Sequence, residues 1–184
     1  MNQPLLFFKK YMHDPKYMGS VVPSSRFLTK RMISAVHWEQ IQTVVELGSG
    51  TGALTREIAK RVAPQAQVVL FEKDEQMRES LQREFPKWTC RENALQLSDY
   101  LKTDGVNGVD CIFSCLPFYN FPSDMRLEMI RQCVDALKPG GQLIAFQYSL
   151  QMKRMLSEHF EIESISLELL NFPPAFVYVC RKEA

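Results

Sequence analysis

Thr43-Val44-Val45-Glu46-Leu47-Gly48-Ser49-Gly50-Thr51-Gly52-Ala53-Leu54-Thr55 opens as an apolar, β-branched run and breaks into three glycines. Apolar residues then resume at helical spacing, Leu54, Ile58 and Val62. The pattern predicts a buried strand, a tight turn and the start of a helix. The glycines allow positive φ and let a ligand approach the backbone with no Cβ between them. Unpaired N–H groups at the helix start bind polar ligand atoms. A strand-to-helix turn without a ligand would share much of this pattern.

The loop alone leaves the ligand open, because Gly48, Gly50 and Ala53 also satisfy the dinucleotide pattern G-x-G-x-x-G/A. An acid, Glu72, follows in Leu70-Phe71-Glu72-Lys73-Asp74, suited to ribose hydroxyls. Glu46 separates the alternatives. A carboxylate two residues before the first glycine repels a pyrophosphate and suits a cation. S-adenosylmethionine carries a sulfonium and an ammonium and no phosphate. Glu46-x-Gly48-x-Gly50-x-Gly52 resembles motif I of the class I methyltransferases. The resemblance implies S-adenosyl-L-methionine as cofactor, held by Glu46, Gly48, Ser49, Gly50 and Gly52.

Beyond the loop the pattern alternates between strand and helix, which predicts a parallel sheet with helices on both faces. Expected strands are Gln67 to Glu72, Trp88 to Arg91, Val109 to Ser114 and Gln142 to Tyr148. Expected helices are Glu75 to Phe85, Ala94 to Lys102, Ser123 to Leu137 and Leu150 to His159, with Lys138-Pro139-Gly140-Gly141 closing the third. Two last strands, Glu161 to Leu169 and Ala175 to Arg181, flank an Asn171-Phe172-Pro173-Pro174 turn and should pair antiparallel. The fold class is α/β, Rossmann-like, with a mostly parallel sheet and an antiparallel last strand. Ligands of such sheets bind at the carboxyl ends of the strands. Glu72 and Lys73, Asn93 and Ala94, and Ser114 and Leu116 stand at those ends and join the expected cofactor site, Lys73 with its side chain toward solvent. Many class I methyltransferases have Asp where Asn93 stands, and Asn93 would accept the adenine amino group.

The 184 residues, 46% hydrophobic, suit one domain with a sizeable core. The net charge of +1 gives no overall attraction to a polyanion, but the charge is uneven. Met1 to Trp38 holds six basic residues against Asp14 alone, leaving +5 there and −4 on the remainder. A basic N-terminal segment on a mildly acidic body suits an anionic surface as partner, although solvated helix charge gives the same count. Five cysteines without a C-x-x-C pair predict a reduced, cytoplasmic chain. His13, His37 and His159 are widely spread, so no metal site is expected. No apolar run approaches the roughly 18 residues of a spanning helix.

Leu5, Phe8 and Met12 fall at helical spacing with Lys9 and Lys10 beside them. This predicts an amphipathic helix, either on a membrane interface or packed back on the domain. A second helix should open at Pro23-Ser24-Ser25 and run to about Val36. The resemblance to class I methyltransferases implies that residues 1–38 form a basic helical cap over the cofactor site, with Ser24 and Ser25 acting as helix caps or meeting a substrate head group.

Ser114-Cys115-Leu116-Pro117-Phe118-Tyr119-Asn120-Phe121-Pro122 should wall the place where the methyl group leaves. Methyltransferases of amino-adenine and amino-cytosine, including the ribosomal RNA adenine dimethyltransferases, have Asn or Asp in this motif. Here Cys115 stands in that place, and a thiol is a weak acceptor. Across the whole chain, Ser20 to Leu28, Ser114-x-Leu116-Pro117-x-x-Asn120-Phe121-Pro122, Phe146-Gln147-Tyr148 and Asn171 to Val177 resemble the bacterial phospholipid N-methyltransferases. The resemblance implies stepwise methylation of phosphatidylethanolamine toward phosphatidylcholine. It also implies a peripheral chain on the inner membrane face, with residues 1–31 contacting anionic lipid. Tyr148, Tyr119 and Ser25 are the candidate catalytic residues, since no histidine falls at a strand end. A methyltransferase on another amine or on RNA adenine is the alternative, and nucleic acid is disfavoured by Cys115 and by a pI near 7.6. A binding module without turnover is a third reading, which the intact glycine loop with Glu46 and Glu72 opposes.

Overall fold

In the computed structural model of the chain, described over residues 24–183, the expected alternation becomes one seven-stranded sheet. Its elements are α1 (Arg26–Ile33), β1 (Thr43–Leu47), α2 (Ala53–Ala59), β2 (Gln67–Phe71), α3 (Glu75–Glu84) and β3 (Thr89–Arg91). The chain continues with α4 (Leu97–Thr103), β4 (Val109–Ser114), α5 (Ser123–Ala136), β5 (Leu137–Gln147), α6 (Lys153–Ser157), β6 (Glu161–Glu168) and β7 (Ala175–Arg181). The strand order is β3-β2-β1-β4-β5-β7-β6. β7 runs antiparallel to both β5 and β6, and the pairs among β1 to β5 are parallel.

β1 lies between β2 and β4, and all five of its residues are buried. That placement explains a continuous apolar run rather than an alternating one. The alternation survives as a choice of face. Val44 and Leu70 pack with Leu28, Leu54 and Leu81 on the α1–α2–α3 side, whereas Val45 and Leu47 pack with Leu97, Met129 and Leu156 on the α4–α5–α6 side. The chain leaves β1 for β2 on one side and later returns to β4 on the other. The gap between these crossovers is the switch point where such sheets bind ligands.

Several boundaries differ from the sequence reading. The Lys138 to Gly141 segment, expected to be a helix stop, belongs to β5, which begins at Leu137. A register shift between Val109 and Cys111 accommodates it. Lys182 Nζ donates to the carbonyls of Val134 (2.6 Å) and Leu137 (2.7 Å), closing the α5 end with a cation. The helices expected from Ala94 and from Leu150 each begin with a 3₁₀ turn, Ala94–Gln96 and Leu150–Met152. α1 stops at Ile33 rather than near Val36, with Ser34 as its C-cap. The expected helix over Leu5 to Met12 and the residues Ser20 to Pro23 lie outside the described residues.

Candidate functional site

The carboxyl ends of β1, β2 and β4 meet around the glycine loop. Gly48, Gly50 and Gly52 have φ of 78°, 53° and 82°. At Gly48 a Cβ would stand 3.0 Å from Leu116 Cδ2, so the loop after β1 packs directly on the loop after β4. At Gly52 a Cβ would meet Leu81 Cδ2 at 2.9 Å, so this glycine seats α2 against α3. At Gly50 a Cβ would meet nothing within 4 Å. Gly50 therefore borders open space, which the other two do not. The Gly48 and Ser49 N–H groups donate to the Phe71 carbonyl at 2.8 and 3.0 Å and set the loop's height over β2.

Glu46 is fully buried beneath this loop. Thr55 Oγ1 donates to its Oε2 at 2.7 Å, while Oε1 and the buried Ser49 Oγ have no partner. Burial pushes the Glu46 pKa up from 4.5 to about 7, opposed by the Thr55 hydrogen bond and by the neighbouring Ser49 hydroxyl. A buried carboxyl with an orphaned oxygen beside an orphaned hydroxyl is a place for a donor, and preferably a cation.

Glu72 bridges the glycine loop and the start of α3. Its Oε2 accepts from Gly50 N at 2.6 Å and its Oε1 from Asp74 N at 2.8 Å. Each carboxylate oxygen retains a further lone pair for ribose hydroxyls. Asn93 caps the 3₁₀ turn at the end of β3, with Oδ1 accepting from Leu95 N at 3.1 Å. That oxygen too keeps acceptor capacity, with buried Ala94 beside it. Ser114 is buried at the end of β4, and its Oγ lies 3.4 Å from Leu116 N. Lys73 is half-buried.

These groups fit S-adenosylmethionine. Glu46 Oε1 and Ser49 would take the cationic amino-acid end, Gly50 the open approach, Glu72 the ribose, and Asn93, Ala94 and Leu116 the adenine. Cys115 follows in the same wall. Burial, with Glu46 and Glu72 nearby, drives the thiol pKa of this partly buried cysteine well above the ordinary range, which favours the neutral thiol.

The structure gives the three candidate catalytic residues different settings. Tyr148 is exposed just past β5, with its ring edge against Phe146 at 5.7 Å between centroids. Tyr119 is exposed on the loop after β4, with the Arg126 guanidinium 5.7 Å from its ring centroid. Ser25 is the N-cap of α1, its Oγ accepting from Leu28 N at 3.2 Å. Its hydroxyl hydrogen can still be donated. Tyr178 is fully buried and donates to the Ser149 carbonyl at 3.0 Å.

Three residues take structural roles that the sequence reading did not assign. Thr55 partners Glu46 from one helix turn beyond the loop, and its only signal was a polar residue among the apolar positions of α2. Gln147 is buried and donates from Nε2 to the Leu116 carbonyl at 2.9 Å, holding the post-β4 loop in place. Asn171 accepts from Ser25 N at 3.0 Å and donates to the Pro173 carbonyl at 2.7 Å. It thereby ties Ser25 to the Asn171–Pro173 turn, residues of two stretches quoted separately in the sequence.

The sheet order, the glycine loop and the acidic residues ending β1 and following β2 define a class I S-adenosylmethionine-dependent methyltransferase. Residues 44–141 match the methyltransferase domain family, and the chain belongs to it. It is 29% identical to ornithine lipid N-methyltransferase of Singulisphaera acidiphila over 98% of this chain and 97% of that protein. It is 34% identical to ribosomal RNA small subunit methyltransferase A of Thermotoga maritima, spanning 67% of this chain but 43% of that protein. Among solved structures it resembles N-methyltransferase NodS of Bradyrhizobium japonicum in complex with S-adenosyl-L-homocysteine. That match has a TM-score of 0.70 at 12% identity over 100% of both chains. Among the described residues, no group of three or more His, Cys, Asp or Glu is placed to hold a metal, and no helix is long and apolar enough to cross a membrane.

Proposed function

We propose that the chain N-methylates the amine of a membrane-lipid head group, a phosphatidylethanolamine or an ornithine lipid. The observation that carries this reading is the join between Ser25 and Asn171. It brings one residue from each of two stretches that resemble the phospholipid N-methyltransferases together at the carboxyl edge of the sheet. The near full-length likeness to an ornithine lipid N-methyltransferase supports the same substrate class. Phosphatidylethanolamine rests on the motif resemblance, and ornithine lipid on that relative. Both offer a primary amine near an anionic group.

Bound S-adenosylmethionine supplies an electrophilic methyl group on a sulfonium. The chain's part is to hold the amine in line with it in a dry site. A primary amine titrating near 10 must lose a proton first, at about 4 kcal/mol at pH 7. Tyr148 and Tyr119 stand at the acceptor side, where a phenol oxygen can pass that proton to water. Their rings also attract the growing alkylammonium by about 0.5–2 kcal/mol. The Ser25 hydroxyl, donating outward from the α1 cap, would meet the head group. Cys115 offers the acceptor no strong hydrogen-bond partner, which suits an alkylamine more than an amino-adenine.

Methyl-labelled S-adenosylmethionine tests the reading. The purified chain is incubated with liposomes of phosphatidylethanolamine, with ornithine lipid, with bulk RNA and with small amines. Label extracting with lipid is the expected result. Label in RNA or in a small amine instead would overturn the lipid reading and leave the methyltransferase standing.

A further inference from the structure

The loop joining β6 to β7 carries conspicuously exposed apolar side chains. Phe172 is 85% exposed, Leu169 69% and Leu170 64%. One such side chain in water is ordinary, but three within four residues of a single tip mark an interaction surface. The pairing of Gln147 with Phe176 and of Glu168 with Ala175 places this tip at the carboxyl edge, the edge that bears the cofactor loop. Phe27 on α1 and Leu150 just past β5 are exposed at the same edge.

The tip is firmly held. Asn171, between Leu170 and Phe172, is buried and hydrogen-bonded to Ser25 N and the Pro173 carbonyl. Glu168 is buried as well, accepting from Leu170 N at 3.0 Å and from Arg31 Nε at 2.8 Å. The polar residues of the tip thus face inward, and the apolar ones are left facing outward. Much of the ordering entropy that a flexible loop would lose on docking is already met by this anchoring. Arg26 and Lys30 are exposed on α1 beside the tip, and Lys153 and Arg154 are exposed on α6.

We infer that Leu169, Leu170 and Phe172 insert into the interface of an anionic lipid bilayer, with Arg26 and Lys30 against the head groups. Exposed apolar side chains beside exposed cations match the depth profile of such a surface, in which the tip enters the acyl boundary and the cations meet phosphate. A second copy of the chain is the poorer occupant, because a self-complementary contact would face these cations with themselves. The inference rests on the lipid-acceptor reading. It adds the surface that turns the open edge of the sheet toward the lipid.

The test uses the full chain carrying Phe172→Trp, and separately Leu169→Ser/Leu170→Ser/Phe172→Ser. Both are checked for S-adenosylmethionine binding as proof of folding. Vesicles contain phosphatidylcholine alone or with phosphatidylglycerol, with brominated acyl chains in a parallel set. The emission of the introduced indole, taken as the difference from the wild type with its Trp38 and Trp88, should shift to shorter wavelength on anionic vesicles and be quenched by bromine. The triple variant should float with anionic vesicles at least tenfold less, yet still methylate a short-chain, monomeric phosphatidylethanolamine or ornithine lipid. Undiminished flotation of the triple variant, or vesicle binding without bromine quenching, would overturn the inference. So would an indole already blue-shifted without vesicles. Reversal on dilution would then indicate a second copy, and persistence would indicate cover by the chain's own N-terminal segment. Absence of label on lipids of either chain length overturns the acceptor reading alone, since flotation and quenching judge the tip independently.

Discussion

Glu46→Gln should stabilise the ligand-free protein at alkaline pH while weakening its cofactor site. Burial holds the Glu46 carboxyl at about 7 instead of 4.5. A carboxyl with a raised folded-state pKa keeps its proton more tightly when folded than when unfolded. The folded state therefore loses stability as pH rises from about 4.5 through 7, and the full cost is present above that window. At about 1.36 kcal/mol per pH unit, the cost is of the order of 3 kcal/mol. Glutamine has no proton to lose and keeps an oxygen for the Thr55 hydroxyl, so its variant escapes that slope. Urea unfolding of the ligand-free chain at several pH values reads the difference. With a slope of about 1–3 kcal/mol per molar urea, the variant's midpoint should gain roughly 1–3 M on the wild type between pH 4.5 and 8. Cofactor binding should move the opposite way. Loss of a charge-assisted hydrogen bond of about 1.5–3 kcal/mol weakens S-adenosylmethionine roughly 10- to 100-fold by titration calorimetry. Binding to the wild type at pH 6 should also release protons, seen as a dependence on buffer ionisation heat. A constant stability difference between the two proteins from pH 5 to 8 would refute the reasoning, because Glu46 would then titrate alike in both states.

Gly50→Ala places a Cβ in open space at φ 53°, so it should cost only about 1–2 kcal/mol in thermal unfolding while obstructing cofactor binding in calorimetry. Asn171→Ala removes the buried tie between Ser25 and the Pro173 carbonyl, and should cost about 1–3 kcal/mol and depress transfer to lipid more than cofactor affinity. Cys115, with its pKa raised, should alkylate with iodoacetamide far more slowly in the folded chain at pH 8 than in urea, as mass spectrometry would show. Tyr148→Phe should lower kcat while leaving cofactor affinity unchanged. Equal kcat in the two proteins would remove the phenol from the proton path.

The βα order, the positions of most strands and the glycine loop were legible because each follows from local chemistry. β-branched apolar runs, helical periodicity and glycines at positive φ act over a few residues. The boundaries that shifted depended on distant partners. Lys138 to Gly141 reads locally as a stop, yet Lys182 and the register against β4 draw it into β5. Proline and glycine report what a backbone can do alone and carry no information about a strand waiting beside it.

The cofactor site divides the same way. Glu46, the three glycines and Glu72 lie within one βαβ unit, so the carboxylates beside the glycine loop, with the resemblance to motif I, already pointed to a cationic, ribose-bearing ligand. The chain alone did not show that Glu46 would be buried with one oxygen unsatisfied, nor that this burial would push its pKa up. That follows from α2 bringing Thr55 against it and closing off water. The tie from Ser25 to Asn171 and the clamp from Gln147 to Leu116 likewise join residues far apart in sequence. Periodicity can assign each such residue to a face, but only folding brings its partner within a hydrogen bond's reach. The outward-facing Leu169, Leu170 and Phe172 read locally as part of a strand and turn, and it is the inward anchoring of Asn171 and Glu168 that leaves them in solvent.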